Sequence, residues 1–485
     1  MPSTAQASAA LKYDSPWISI TLFQAYATQV SQSTCCKSNQ YMHKMGLMLD
    51  LAEPNLLRDD FPYTRIPPIR FEPTGVAQAR PTDVWITDTT FRDGQQARAP
   101  YTVDQIVHLY DLLAKLGGPV IRQTELFAYT PLDREAIAAC QQRPGPEVTT
   151  WMRASLDDLK AVVATGVKET GILVSSSDYH IYLKMHRTRR QAADDYARVV
   201  RAVIDAGLLP RCHLEDLTRA DLDGFVAPLV ASLQELGRQA GVPVKFRLCD
   251  TMGFGLPWPE ASLPRGVPRL VQFFTRTLGV QPENLEWHGH NDFHRGEVNT
   301  VAAWLYGCAA ANGSLFGFGE RTGNPPLEAL VIDYVGLTGD ASGVDTTAIT
   351  RAAAFFRDQL GTPLPANYPF AGAGFNVTSA GIHADGLLKN EEIYNIFDTA
   401  RILDRPLGIT VNDRSGLAGI AYWLNTSVGL RGAAQVRKDD PRVVAIHREV
   451  ERQYAGGRST GFSPDEMEAL ARLHFGNALA TSARG

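Results

Sequence analysis

From Asp83 the chain alternates short β-rich runs with longer amphipathic ones, and this rhythm constrains the fold more than any other feature. The strand candidates are Val84–Thr87, Val120–Leu126, Val148–Met152, Thr170–Val174, Cys212–Glu215, Val244–Leu248, Leu285–Gly289 and Ser314–Gly317. Helical segments follow most of them, among them Val103–Leu116, Leu156–Thr165, Arg189–Ala206 and Gly296–Asn312. Eight such units within roughly 250 residues is the arithmetic of a (β/α)8 TIM barrel, an α/β fold. At 485 residues the chain exceeds such a barrel. The expected organisation is a poorly structured extension over 1–50, a lead-in over 51–82, the barrel over 83–340, and a smaller, mainly helical C-terminal region over 341–485. A Pro/Gly-rich connector, Gly361–Gly374, leads into that region, and a helix over Asp465–Phe475 ends it.

Composition narrows the function. Hydrophobic residues make up 44% and charged ones 20%, enough for a large core and against wholesale disorder. A net charge of -5 is the wrong sign for a nucleic-acid footprint. No run of about 20 apolar residues is present to span a membrane. The six cysteines form no CxxC pair; Cys35 and Cys36 are adjacent and the rest are scattered, which fits a reducing, cytoplasmic setting. Residues 1–45 lack the basic lead and cleavage site of a signal peptide. They read as a loose extension, or as translation from a start upstream of Met45 or Met48; an organelle leader is disfavoured by their scarcity of Arg.

In a barrel of this kind the reactive groups sit at the C-terminal strand ends. Here those ends are polar throughout: Arg92 and Asp93, Glu125, Arg153, Ser175 to His180, Glu215 and Asp216, Asp250 and Thr251, His288 and His290, then Glu320, Arg321 and Asn324. On a strand, residues i and i+2 face the same side, so His288 and His290 in Trp287-His288-Gly289-His290-Asn291-Asp292 can grip one ion. With Asp93 they supply two nitrogens and a carboxylate oxygen, a set suited to Mn²⁺, Mg²⁺, Zn²⁺ or Co²⁺ with positions left for substrate and water. A surface histidine pair would look the same in isolation; the setting after a barrel strand favours the metal. Asn324 could add a carbonyl oxygen, or simply cap the helix that follows it. Arg92 could stabilise an oxygen that becomes negative during reaction, or close the barrel mouth as a salt bridge. Glu125, Glu215, His383 and Tyr394 could carry protons or serve as structural hydrogen-bond partners.

The motifs DTTFRDGQQ, TELFAYTPLD, SSSDYH, EDLTR, CDTMG, HGHND, GERTGN and SAGIHADGLLKNEEIY stand in this order between Asp83 and Thr426. In that order they resemble the 2-isopropylmalate/homocitrate synthase family, metal-dependent barrel enzymes that condense acetyl-CoA with a 2-oxo acid. The resemblance implies a metal set of Asp93, His288, His290 and Asn324, and Arg92 as the group polarising the keto oxygen. It implies Glu215, His383 and Tyr394 as the proton-handling group, and Gln96, Glu125, Arg153, His180, Thr251 and His294 at the substrate. It further implies a homodimer whose C-terminal region reaches the partner's active site.

Departures matter too. Gln95 stands where the family usually has Glu, His294 and Arg295 follow HNDF, and Arg122 and Gln123 precede Glu125. Extra basic and polar groups near the mouth would suit a substrate with a second anionic group, unless Arg122 and Arg295 point outward. The stretch Asn55–Tyr63 and the run from Arg92 to Thr102 look most like the branch holding Re-type citrate synthases and the phosphinomethylmalate and phosphonomethylmalate synthases of antibiotic biosynthesis. The expected 2-oxo acids are therefore oxaloacetate, phosphinopyruvate or phosphonopyruvate. Rival readings are 2-isopropylmalate or homocitrate synthesis, an HMG-CoA-lyase-like carbon–carbon lyase, and a non-enzymatic binding module.

Overall fold

A computed structural model describes residues 50–59, 75–430 and 432–476. Residues 1–49, which include Cys35 and Cys36, and residues 60–74 of the lead-in lie outside the described residues.

Eight parallel strands close in sequence order: β1 (Trp85–Asp88), β2 (Ile121–Leu126), β3 (Glu147–Arg153), β4 (Glu169–Ser175), β5 (Leu209–Glu215), β6 (Lys245–Asp250), β7 (Leu285–Gly289) and β8 (Ala310–Gly313). The ring shuts where Trp85 pairs with Ala310 and Asp88 with Gly313. Helices α1 (Val103–Gly117), α2 (Pro131–Gln141), α3 (Leu156–Val163), α4 (Arg189–Asp205), α5 (Ala227–Ala240), α6 (Val267–Gln272), α7 (Gly296–Tyr306) and α8 (Leu327–Thr338) follow the strands in turn. Several begin where the sequence provides a cap. Thr102 with Gln105, Thr130 with Asp133 and Thr188 with Gln191 form reciprocal capping boxes that satisfy otherwise orphaned N–H groups.

The expected TIM barrel is therefore present, with one strand displaced. The eighth strand is Ala310–Gly313, not Ser314–Gly317, and the helix before it ends at Tyr306, not Asn312. Gly307, at φ 131, stops the helix in a conformation that favours glycine. Ala-Ala-Asn-Gly lacks the β-branched residues that mark a strand, so the helical pattern appeared to run through it. Ser314–Gly317 instead forms a turn, with Phe316 and Gly317 both at positive φ.

The barrel lumen holds charge where branched apolar side chains are the norm. Arg211 of β5 reaches across to Glu125 of β2 (3.0 Å) and Glu286 of β7 (3.3 Å), and it also meets Glu169 of the neighbouring β4 (3.0 Å). Arg247 of β6 joins Glu125 at 2.8 Å and Glu286 at 2.9 Å. Strands β2, β5 and β7 are not neighbours, so these side chains meet inside the ring, and all are buried.

The hydrophobic core between barrel and helices continues into α9 (Thr347–Asp358) through Ala348, Ile349, Ala352 and Phe356. A second, separate core gathers residues from Ala384 to Phe475. It is built from α10 (Gly381–Lys389), α12 (Gly416–Ser427), α13 (Pro441–Ala455) and α14 (Pro464–Phe475), beside a two-stranded pairing of Val377–Thr378 with Gly408–Ile409; α11 (Thr399–Leu403) instead packs Leu403 into the barrel core. The C-terminal region is thus mainly helical, as expected. No described helix is long and apolar enough to cross a membrane.

Candidate metal centre and active site

The segment after β1 is folded by its own polar side chains. Asp88 accepts from Thr90 N (3.0 Å), Thr90 Oγ1 (2.5 Å) and Thr124 Oγ1 (2.5 Å). Burial pushes its carboxyl up to about 6 against these bonds. Thr89 O then accepts from Arg92 N and Gly94 N, which starts a single helical turn at Asp93 and aims Arg92 and Asp93 into the mouth.

Asp93, His288 and His290 come together there, their ligand atoms all within 4.8 Å of one another and all three residues buried. Asp93 Oδ2 lies 3.2 Å from His288 Nε2 and 3.7 Å from His290 Nε2. Burial alone would raise the Asp93 carboxyl, but the Arg92 guanidinium beside it holds it well below the usual carboxylate range. Burial pushes His290 down to about 4, so it is a neutral donor at physiological pH. Asn324 also reaches the group, but nitrogen first: its Nδ2 donates to Asp93 Oδ2 at 3.3 Å and to Gly289 O at 3.1 Å. His290 Nδ1 and Asn324 Oδ1 are buried with no hydrogen-bond partner. A convergent carboxylate and two imidazole nitrogens, with buried polar atoms unsatisfied beside them, fit a divalent cation.

Arg92 borders this centre. Its Nη1 is 3.4 Å from Asp93 Oδ2, and its Nε donates to Glu125 Oε1 at 2.9 Å. Its guanidinium lies over the Trp151 ring at 5.8 Å. Burial would raise Glu125, but Arg247, Arg92 and Arg211 outweigh it and lower its pKa. Glu125 is thus a fixed anion that orients Arg92, with its oxygens turned to arginines instead of solvent.

A second polar cluster forms where β4 and β5 end. Glu215 Oε2 lies 2.9 Å from His180 Nδ1, Glu215 Oε1 3.1 Å from Lys184 Nζ, and Ser175 Oγ also donates to Glu215. His180 and Lys184 sit four apart in a wide helical turn, Tyr179–Lys184, which lets both face Glu215. Burial opposes ionisation of Glu215, but the His180 hydrogen bond and the charges of His180 and Lys184 bring it to about 2. Thr251 Oγ1 accepts from Asp216 N at 2.9 Å and so ties the ends of β5 and β6 together. The lead-in packs on the same turn: Tyr179 and Tyr182 donate to the carbonyls of Leu56 and Leu51, each at 2.7 Å.

A family model described as HMGL-like matches residues 83–356. The chain is 51% identical over 430 residues to a citrate (Re)-synthase of Syntrophus aciditrophicus, covering 88% of this chain and 68% of that one. It is 44% identical to a citrate (Re)-synthase of Clostridium kluyveri, covering 90% and 96%. To a 2-phosphinomethylmalate synthase of Streptomyces hygroscopicus it is 37% identical, covering 87% and 97%. The chain belongs to the HMGL-like family. Isopropylmalate and homocitrate synthases are also among its relatives, as the ordered motifs led us to expect.

Within this HMGL-like barrel not every expected site residue joins the centre. Arg153 is 66% exposed and held by Asp158 in a two-pronged pair at 2.7 and 2.9 Å. Gln96 is exposed, and His294 is an exposed turn residue at φ 56. Of the extra basic groups, Arg122 pairs with Asp83 at the opposite end of the barrel and Arg295 donates to Gly255 O. His383 and Tyr394 adjoin each other, ring centroids 4.4 Å apart, beside the second core. They are joined to the barrel cluster by no hydrogen bond among the described residues.

Other residues near the centre escaped the motif reading: Trp151, Lys184, Arg211, His213, Arg247 and Asn312. A signal for several existed. Arg211, His213 and Glu215, like Lys245 and Arg247 or Glu286 and His288, repeat polar side chains at period two inside buried strands. Gly171 belongs with them, since a Cβ there would stand 2.4 Å from His213 Nε2.

Proposed function

We propose that this chain is an acyltransferase that condenses acetyl-CoA with an oxaloacetate-like 2-oxo acid and releases CoA. The observation that carries this reading is the meeting of Asp93, His288 and His290 with Arg92 at one rim, in a chain 51% identical to a citrate (Re)-synthase. Oxaloacetate is the first candidate substrate; the 2-phosphinomethylmalate synthase relative makes phosphinopyruvate the second.

Asp93, His288 and His290, with Asn324 beside them, would hold a divalent cation, Mn²⁺, Mg²⁺, Co²⁺ or Zn²⁺. Such an ion would supply Lewis acidity to the 2-oxo acid. The acetyl methyl group gives up a proton to a base, the role assigned below to the His383–Tyr394 pair, and its carbon bonds to the keto carbon as the carbonyl π bond opens onto oxygen. The keto oxygen receives the displaced electron pair, which Arg92 stabilises where charge develops. Water then splits the thioester, the CoA thiol leaves, and the citrate-type acid remains. Glu215, ionised and fixed by Ser175, His180 and Lys184, orients groups at this rim; so low a pKa makes it a weak base.

His383 and Tyr394 are assigned to proton transfer in the active site of a partner subunit. Support comes from their surroundings: Ile382, Ile393 and Ile396 are 75%, 53% and 64% exposed, a patch of large apolar side chains that a second copy would cover. The free, buried Cys140, Cys212, Cys249 and Cys308 support a reducing cytoplasmic setting.

The test is a panel of oxaloacetate, phosphinopyruvate, 2-oxoisovalerate and 2-oxoglutarate with acetyl-CoA, scored by thiol release and product mass. Oxaloacetate should be turned over fastest, and EDTA should abolish turnover until Mn²⁺ or Co²⁺ is returned. Thiol release with neither oxaloacetate nor phosphinopyruvate overturns the substrate assignment, and cleavage of an acyl-CoA without condensation would favour a lyase.

A further inference from the structure

Asn312 is fully buried on β8, and no motif singles it out. Its Oδ1 lies 2.6 Å from His288 Nδ1. Its Nδ2 donates to Thr87 O at 3.2 Å and to Thr87 Oγ1 at 2.8 Å. Thr87 Oγ1 in turn donates to Glu286 Oε1. The polarity of this chain is determined from its far end. Glu286 is paired with Arg211 at 3.3 Å and with Arg247 at 2.9 Å, so its carboxylate only accepts. Thr87 Oγ1 spends its proton on Glu286 and must accept from Asn312. Thr87 O, a backbone carbonyl, can only accept as well. The Asn312 amide nitrogen therefore faces Thr87, and its oxygen faces His288. An oxygen 2.6 Å from Nδ1 requires the proton on Nδ1. The Nε2 lone pair is then left toward Asp93, 3.2 Å away.

We propose that Asn312 is a positioning residue of the metal centre: oriented by Thr87 and Glu286, it holds His288 in the one tautomer and ring orientation that can ligate through Nε2. His290 has no counterpart, because its Nδ1 is buried without a partner. The two imidazoles are therefore unequal, His288 being set in advance by the barrel interior and His290 settling on the ion. A neutral amide also donates twice to Thr87, which a carboxylate at this position could not do.

The inference rests on the metal reading, and one titration separates the two. Mn²⁺ is titrated into the metal-free full-length protein and free Mn²⁺ is read by electron paramagnetic resonance, with no turnover required. Wild type that binds no Mn²⁺ sinks the metal reading itself. With wild type binding, Asn312→Leu should weaken affinity about 10–100-fold, the usual cost of losing a ligand's outer hydrogen bond. Asn312→Asp keeps an acceptor for His288 and should stay within about threefold of wild type, although it loses both donations to Thr87 and melts lower. A purely structural Asn312 predicts the reverse pattern, lower melting temperatures for both variants with affinity unchanged in both, and that result overturns the proposal. Should Asn312→Leu not fold, Thr87→Val decides, since it removes one of the bonds that orient the amide. A loss of about three- to tenfold supports the proposal and unchanged affinity overturns it.

Discussion

Arg92 carries a specific expectation. Its planar fork spans Glu125 and Asp93, and a lysine keeps the charge while losing that geometry. Arg92→Lys should lower kcat about 10²–10³-fold with Mn²⁺ affinity nearly unchanged, as expected of a group acting on developing charge. Steady-state kinetics beside a metal titration check this. Glu125→Gln should behave differently. It leaves Arg211 and Arg247 short of a buried anion, so destabilisation of about 3–5 kcal/mol should accompany the catalytic loss, measurable by urea unfolding. At this scale the sequence was most legible where chemistry and spacing coincide. Asp93, His288 and His290 were readable because an HxH at a strand end is a geometric statement. Arg153, Gln96 and His294 were not, because strand-end position does not say whether a long side chain turns inward or finds a nearer partner, as Arg153 does in Asp158.

Elements were read well wherever a cap or period marked them. Thr102, Ser155 and Thr188 each open a helix at its expected start. The eighth strand was displaced because Ala310–Gly313 is buried by its neighbours on both sides and needs no β-propensity of its own. The turn that follows it has a pH signature. Glu328, in the first turn of α8, accepts from Phe316 N (2.9 Å) and Tyr368 OH (2.9 Å), and burial raises its pKa to about 7. A carboxyl whose folded pKa lies above its unfolded value stabilises the fold fully below the unfolded pKa, and that contribution disappears as pH rises through the folded one. Between pH 5 and 8 this group should therefore cost stability on the order of 3 kcal/mol. Glu328→Gln should flatten the dependence in thermal melts taken across that range; an unchanged slope would assign it to other groups.

At the scale of the whole molecule, two hydrophobic cores share one chain, and the second carries His383 and Tyr394. If that region serves a neighbouring subunit, Arg92→Ala and His383→Ala damage different halves of one composite site. Each variant alone should be nearly inactive, and co-expression should restore about a quarter of wild-type activity, from mixed dimers with one intact site. Absence of recovery, with mixed dimers shown by native mass spectrometry, would mean that each chain serves itself. The helical character of the C-terminal region was legible in sequence; which of its helices join the barrel core, as Ile349, Phe356 and Leu403 do, was not, because which apolar faces meet is decided by packing and not by periodicity. The charged lumen has a consequence for how relatives of this protein diverge. Glu125, Glu169, Arg211, Arg247 and Glu286 each answer for more than one neighbour or share one, so a lone replacement strands a buried ion and is disfavoured. These five positions should vary among descendants as a linked set, changing together or hardly at all.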